Sequence, residues 1–367
     1  MLKFDRRLIS HFDWPLLFAT LLLVACGLAT VLSATHSQDV LVSRLLIRQA
    51  TWAGVGLVAM FLALSFDYHW LERYGYFIYA VALVLLVLTA LIGTSGGGAQ
   101  RWLSLGPIAV QPSELAKIPI LVAVGCYLHR MVGDRRLTIG ELIVPLLLIA
   151  VPILLILRQP DLGTAISVCG LTGVMLLVAG LPTRLVAGVA LAAALTGPYF
   201  WTHLKPYQQE RVLTFLDPQR DPLGSGYHII QSKIAIGSGM VAGKGYLHGT
   251  QNQLNFLPEQ HTDFIFSVFA EEWGFAGAVV LISLYFLLLM RCFIVAVRAK
   301  DAFGLLLACG LTAMIFFQAL INMAMAMGAL PVVGITLPFF SYGGSSLLAC
   351  MIAVGLLMNV SMRRFTF

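Results

Sequence analysis

Charge is what this chain has least of: only 11% of its 367 residues are Asp, Glu, Lys or Arg, against 59% hydrophobic. A soluble domain carries about a quarter charged residues, so lipid must be the solvent for most of this chain. Cysteine motifs are missing as well. Cys26, Cys126, Cys169, Cys292, Cys309 and Cys350 fall inside or at the ends of apolar runs without CxxC spacing, which argues against structural zinc and against a disulfide framework. No heptad array or low-complexity tract occurs, and no pair of broken helices of the transporter kind. The short alternating segments of a membrane β-barrel are absent too.

What is present is a series of apolar runs, each near the length that crosses a bilayer as a helix. They cover about residues 14-34, 49-66, 74-93, 113-129, 139-157, 162-180, 184-201, 264-290, 303-328 and 344-361. The expected fold class is an all-α integral membrane protein, one polytopic domain of about ten transmembrane helices spanning 1-367. The first run, Trp14 to Ala34, is long for a secretory signal and lacks a small-residue cleavage site, so it is expected to be a retained span.

Basic residues orient the bundle. With the N-terminus inside, the inner segments collect Lys3, Arg6, Arg7, Arg73, Arg130, Arg135, Arg136, Arg184, Arg291, Arg298, Lys300, Arg363 and Arg364, whereas the short outer loops hold Arg44, Arg48, Arg101 and Arg158. That bias predicts both termini on the cytoplasmic side. The net charge of +6 is then a topology signal with some attraction to anionic membrane lipid, and nucleic acid drops out as a partner. Residues 202-263 form a long extracytoplasmic loop between spans 7 and 8, of a length that is usually functional. Inside it Tyr227 to Ile236 has the one-sided apolar pattern of an interfacial or re-entrant helix. The run Gly96-Gly97-Gly98 reads as flexible loop.

Ionisable groups in or beside hydrocarbon are functional hypotheses by default. Gln111-Pro112-Ser113-Glu114 opens the fourth span, with Lys117 on the same helical face as Glu114. A self-neutralising pair that holds helices together explains them equally well. Trp102 suits an interfacial aromatic, and Asp161 suits a helix N-terminus. Asp161 also shares the membrane face of Glu114 and Lys117, so a lysine shared between two carboxylates is a plausible network. Arg211, Lys233 and Lys244 are cations of the long loop, and Gly243-Lys244-Gly245 could let backbone approach an anion or could be a plain turn. The loop closes on Pro258-Glu259-Gln260-His261-Thr262-Asp263. A partly desolvated carboxylate there could serve as a general base, and Asp263 could equally cap the eighth span. Glu259, His261 and Asp263 offer oxygen and nitrogen ligands, so a divalent cation such as Mg or Mn is the one cofactor the pattern leaves open. Pro338 to Ser346, including Ser341, is rich in small residues and reads first as helix packing.

Taken in order, Gly98-Ala99-Gln100-Arg101-Trp102, Gln111-Pro112-Ser113-Glu114, Gln159-Pro160-Asp161-Leu162-Gly163-Thr164, Asp221-Pro222-Leu223-Gly224, Leu257-Pro258-Glu259-Gln260-His261-Thr262-Asp263 and Ser341-Tyr342-Gly343-Gly344-Ser345 resemble the SEDS family (shape, elongation, division and sporulation) across nearly the whole chain. Gln231 to Gly239 and Gly249-Thr250-Gln251 are more similar to its RodA-like branch than to its division branch. The resemblance implies a peptidoglycan glycosyltransferase of the bacterial cytoplasmic membrane that polymerises lipid II into a glycan strand on the outer face during elongation. Its implied partners are a class B penicillin-binding protein and other elongation-complex membrane proteins. The family's essential aspartate, at the end of its His-Thr-Asp motif, falls on Asp263. Substrate-binding roles are implied for Arg101, Trp102, Ser113, Glu114, Lys117, Asp161, Arg211, Lys233, Lys244, His261 and Ser341. Trp273, after Glu271 and Glu272, and the run of three glycines depart from the family's usual pattern. A lipid II flippase and a non-catalytic scaffold for the partner synthase remain the alternatives.

Overall fold

The structure, a computed structural model, describes residues 12–35, 39–96, 99–106, 108–132, 137–202, 206–221, 225–254, 256 and 259–364. Lys3, Arg6, Arg7, Gly97, Gly98, Arg135, Arg136, Pro222 to Gly224, Leu257 and Pro258 therefore lie outside the described residues.

The chain is a helical membrane bundle. Its long helices are α1 (Trp14–Thr35), α2 (Asp39–Ser65), α3 (His69–Ile92), α4 (Pro112–Leu128), α5 (Ile139–Arg158), α6 (Leu162–Val178) and α7 (Thr183–Trp201). After the long loop come α11 (Ile265–Val297), α12 (Ala302–Ala326) and α13 (Gly344–Arg363). Seven of them, α1, α2, α3, α5, α11, α12 and α13, are long and apolar enough to cross a membrane by themselves, and α6 is a shorter apolar helix. Helix α4 falls short of that pattern because it carries Glu114 and Lys117 on a segment of 17 residues.

Helix ends follow local chemistry. Pro112 stands in the first turn of α4, where its missing N–H costs nothing. Asp161 caps α6, accepting from the Thr164 amide at 3.3 Å, and Asp301 caps α12 through the Gly304 amide at 2.7 Å. Helix α2 begins well before the apolar run at 49-66, so Arg44 and Arg48 ride on a helix rather than in a loop. Polar residues can extend a helix beyond the hydrocarbon because the backbone bonds are satisfied within the segment.

Helix α13 is buried on nearly every side, against α2 and α4 above all, while α3 and α5 expose most of their apolar residues to lipid. Of the run read as flexible loop, Gly96 ends the first strand of a small antiparallel sheet, β1 (Thr94–Gly96), β2 (Ala99–Leu105) and β3 (Ile108–Val110) in the order β1-β2-β3, and Gly97 and Gly98 lie outside the described residues. The sheet places Arg101 and Trp102 on its middle strand. The long loop is largely helical: α8 (Pro206–Leu216), α9 (Ser225–Ser238) and the short α10 (Thr250–Gln253). Expected as an interfacial or re-entrant helix, α9 packs against the first half of α11, where Ser232 meets Ser267 at 2.6 Å.

Helix α11 is broken at Gly274, whose φ of 65° and ψ of −165° leave the helical region. The loop carrying Gly243 fills the break. Phe275 and Ala276 donate to the carbonyls of Met240 and Val241, and the amides of Lys244 and Gly245 donate to those of Glu271 and Glu272. A buried helix break needs such partners, because unpaired backbone groups in a membrane are costly.

Candidate active site

Asp263 sits in the turn that leads into α11. That turn is pinned from three sides. The Gln260 amide donates to the Ala34 carbonyl at 2.8 Å, the Tyr342 amide to the His261 carbonyl at 2.9 Å, and Asn322 Nδ2 to the Asp263 carbonyl at 3.0 Å. Asn322 also donates to the Ile335 carbonyl at 2.7 Å, tying the 334–336 segment to the same turn. The backbone at Asp263 is thereby held while its carboxylate is left available. No hydrogen bond from a described residue reaches it, and the N-cap position of α11 is Phe264, so the capping role open to Asp263 is not the one it takes.

Electrostatics at this carboxylate are unusual. Burial, followed by the neighbouring Glu259 carboxylate, pushes the Asp263 pKa up to about 6, against the opposing pull of Arg211 and Arg101. His261 is pulled the other way: burial lowers its pKa in spite of Glu259, and its ring meets Tyr342 edge-on at 5.6 Å. Among the described residues no three His, Cys, Asp or Glu side chains gather as a metal-ligand set. Glu259 and Asp263 are two nearby carboxylates, and Glu259 accepts from Thr262 Oγ1 at 3.1 Å.

A second polar cluster lies one helical turn away along α12. Gln318 and Asn322 are i,i+4 neighbours, about 6 Å apart at their Cβ atoms. Gln318 Nε2 approaches Glu114 Oε2 at 3.4 Å while Asn322 holds Asp263. Glu114 pairs with Lys117 at 2.7 Å. Asp161 is satisfied by neutral donors instead: Gln111 Nε2 at 3.0 Å, Ser113 Oγ at 3.1 Å and Thr164 Oγ1 at 2.9 Å. The shared lysine expected between the two carboxylates is therefore replaced by Thr164, whose hydroxyl also lies 3.4 Å from Glu114. Arg101 joins the clusters, donating to the carbonyls of Gln159 and Pro160 beside Asp161 while lying in the field of Asp263. Its neighbour Trp102 is half-buried in the sheet, opposite Thr94.

The remaining expected residues divide. Arg211, on α8, reaches the field of Asp263. Lys233 is exposed on α9 and lies across Gly328, where a Cβ would stand 2.8 Å from its Nζ. Lys244 is committed elsewhere: its ammonium bonds the buried Glu271 at 2.6 Å and Thr250 at 2.6 Å. Ser341 is a turn residue, its hydroxyl accepting from the Leu337 amide at 2.9 Å and its carbonyl from Gln49 at 3.0 Å. Sequence reading passed over Gln318, Asn322 and Gly334, the last with a φ of 74° and an ideal Cβ position 3.6 Å from Asp263 Oδ2. The signal for the first two was there: two amides a turn apart inside an otherwise apolar span.

A profile of the FtsW/RodA/SpoVE family, described as cell cycle proteins, matches residues 14–365. The chain belongs to this family. Within the FtsW/RodA/SpoVE family it is 42% identical over 356 residues to the peptidoglycan glycosyltransferase MrdB of Escherichia coli K12, covering 96% of this chain and 94% of that one. It is 34% identical to the peptidoglycan glycosyltransferase RodA of Treponema pallidum, covering 98% and 99%. A chain from a structure described as the structural coordination of polymerization and crosslinking by a peptidoglycan synthase complex superposes with a TM-score of 0.84 at 37% identity, covering 97% and 99%. The crystal structure of the rod shape determining protein RodA of Thermus thermophilus gives 0.73 at 33% identity, covering 97% and 98%.

Proposed function

We propose that Asp263 is the general base of a glycosyl transfer that joins lipid II units into a glycan strand. The chain is a peptidoglycan glycosyltransferase of the elongation type, a multi-pass membrane protein of the family above. The observation that carries the assignment of the base is the Asp263 carboxylate itself: fixed by its backbone, free of described hydrogen bonds, and raised to about 6 between Glu259 and two arginines. A base with a pKa just below the working pH is ionised yet still proton-seeking.

In the proposed step Asp263 takes the proton from the 4-hydroxyl of the acceptor sugar. That oxygen attacks the anomeric carbon of the donor from the face opposite its pyrophosphate. The bond to undecaprenyl pyrophosphate breaks, its electron pair leaves with the pyrophosphate, and the configuration inverts. Arg101 and Arg211, which act on Asp263, and the exposed Lys233 would stabilise that leaving group. Lys117 is already neutralised by Glu114 and Lys244 by Glu271, so both act through the fold. The apolar helix faces would hold the polyprenyl chains, and the positive-inside bias sets the site on the extracytoplasmic side of the bacterial cytoplasmic membrane with both termini inside. A class B penicillin-binding protein is the proposed partner, in keeping with the synthase complex described for one structural relative.

The test is polymer formation from labelled lipid II by purified protein, with and without that partner. Asp263→Asn should lower the rate by roughly 10²- to 10⁴-fold with partner binding unchanged. Full polymerisation by Asp263→Asn would overturn the assignment of the base. Lipid transfer between leaflets with no strand formed under any condition would favour a flippase.

A further inference from the structure

The break in α11 holds more negative charge than its described partners balance. Glu271 and Glu272 end the first half of the helix, at exposures of 0% and 1%. Glu271 Oε1 is well supplied: it accepts from Lys244 Nζ at 2.6 Å, from Thr250 Oγ1 at 3.1 Å and from the Gln251 amide at 3.1 Å. Glu272 Oε1 accepts from Ser33 Oγ, and the Leu247 amide faces the same carboxylate. Lys244 makes the one ion pair of this joint among the described residues, so one of the two carboxylates lacks a countercharge. The exposed His248 acts on Glu272 from further off, its Nδ1 donating instead to the Tyr246 carbonyl at 2.8 Å. The half-helix deepens the deficit, because its C-terminal end is the negative pole of its dipole.

Three oxygens at this joint remain unused. Glu271 Oε2, Glu272 Oε2 and Gln251 Oε1 are buried and have no hydrogen-bond partner. Gln251 belongs here because its own amide holds Glu271. An unpaired buried oxygen is costly, and a charged one more so. Gly249 keeps room open next to Glu271 Oε2. Its φ is not positive, so its backbone does not call for glycine, yet a Cβ there would stand 3.0 Å from Glu271 Oε2 and 3.4 Å from Glu272 Cγ. A proton shared between carboxylates would serve two of the three oxygens. A metal cation would serve all three.

We propose that this joint binds one monovalent alkali cation through Glu271 Oε2, Glu272 Oε2 and the amide oxygen of Gln251. Donors that are all oxygen suit a hard cation. One excess negative charge matches one positive charge, whereas a divalent ion would leave a buried charge of the opposite sign. The end of a broken helix is also a place where membrane proteins coordinate sodium. Bound there, the ion ties α10 and the loop that fills the break to the half-helix that starts beside Asp263, roughly 13 Å away at 1.5 Å per residue.

Sodium is the probe. Equilibrium binding of radioactive sodium to the purified full chain, with N-methylglucamine as the balancing cation, should show one saturable site. The melting temperature should rise over the same range of sodium concentration. Glu272→Gln keeps the shape and removes the excess charge, so it should weaken sodium binding by at least about 10-fold, affinity following ligand charge, and should melt higher than wild type in N-methylglucamine alone. Gly249→Ala fills the room beside Glu271 and should weaken binding as well. Glu72→Gln removes a carboxylate elsewhere, on α3, and should bind sodium as wild type does. Absence of saturable binding in the wild type, or equal loss in Glu272→Gln and Glu72→Gln, would overturn the proposal. So would a wild type whose melting temperature falls with rising pH and ignores sodium, which would assign the joint to a shared proton, or one that responds to magnesium and not to sodium.

Discussion

Asp263 is where single-residue chemistry decides most. Its raised pKa predicts that kcat/KM for strand formation increases as pH rises through about 6, following ionisation of the base. Glu259→Gln removes the like charge, so the midpoint should fall, yet stay above 3.8 because burial is the larger cause. A pH-rate profile in which Glu259→Gln moves the midpoint upward would contradict this ordering. The same shift has a stability sign. Between 3.8 and about 6 the folded state keeps a proton that the unfolded state gives up, so folding weakens as pH rises through that window. Asp263→Asn should therefore melt higher than wild type above pH 6 and alike at pH 4, measured by thermal unfolding in detergent.

At the level of elements, the broken helix α11 and the loop that fills its break are the decisive pair. Gly239, Gly243 and Gly274 let backbone meet backbone here: a Cβ on Gly243 would stand 2.1 Å from the Glu272 carbonyl oxygen, at a φ of 79°. Gly243→Ala should destabilise by about 2 kcal/mol or more, from the left-handed conformation and the overlap together. It should lower activity as well, since the segment it displaces carries Asp263 at its start. An unchanged melting temperature would show that the loop is not locked to the break. The Lys244–Glu271 pair closes the same joint, which is why a Gly-flanked lysine that could have greeted a phosphate serves as a bolt.

Across the whole molecule, α4, α6, α12 and α13 converge on one buried charged group, Glu114 with Lys117, the lysine 1% exposed. Removing one member leaves the other uncompensated, at a cost of about 3 kcal/mol. Lys117→Met should show that loss as a lowered melting temperature, and the double variant Lys117→Met/Glu114→Gln should recover much of it. Recovery of stability without recovery of activity would separate a packing role from a role toward substrate. The pair lies one turn of α12 from the turn that holds Asp263, so the two outcomes can be read on the same protein.

The membrane class, the helical fold and the family were all legible along the chain, because transfer to lipid is a sum over neighbouring residues and motif order survives in one dimension. Asp263, too, could be picked out by its motif. Which partner each charge would take was not legible. Arg101 turned to the carbonyls of Gln159 and Pro160, Asp161 to Gln111, Ser113 and Thr164, and Lys244 to Glu271, all chosen by residues far away in sequence. Asn322, which holds the backbone of Asp263, emerges only when α12 crosses its neighbours. Linear order is enough to say where the chain is apolar and where it is charged. Which charges are spent on one another and which are left for a ligand follows from the packing of the helices, since that choice depends on distances the linear order does not contain.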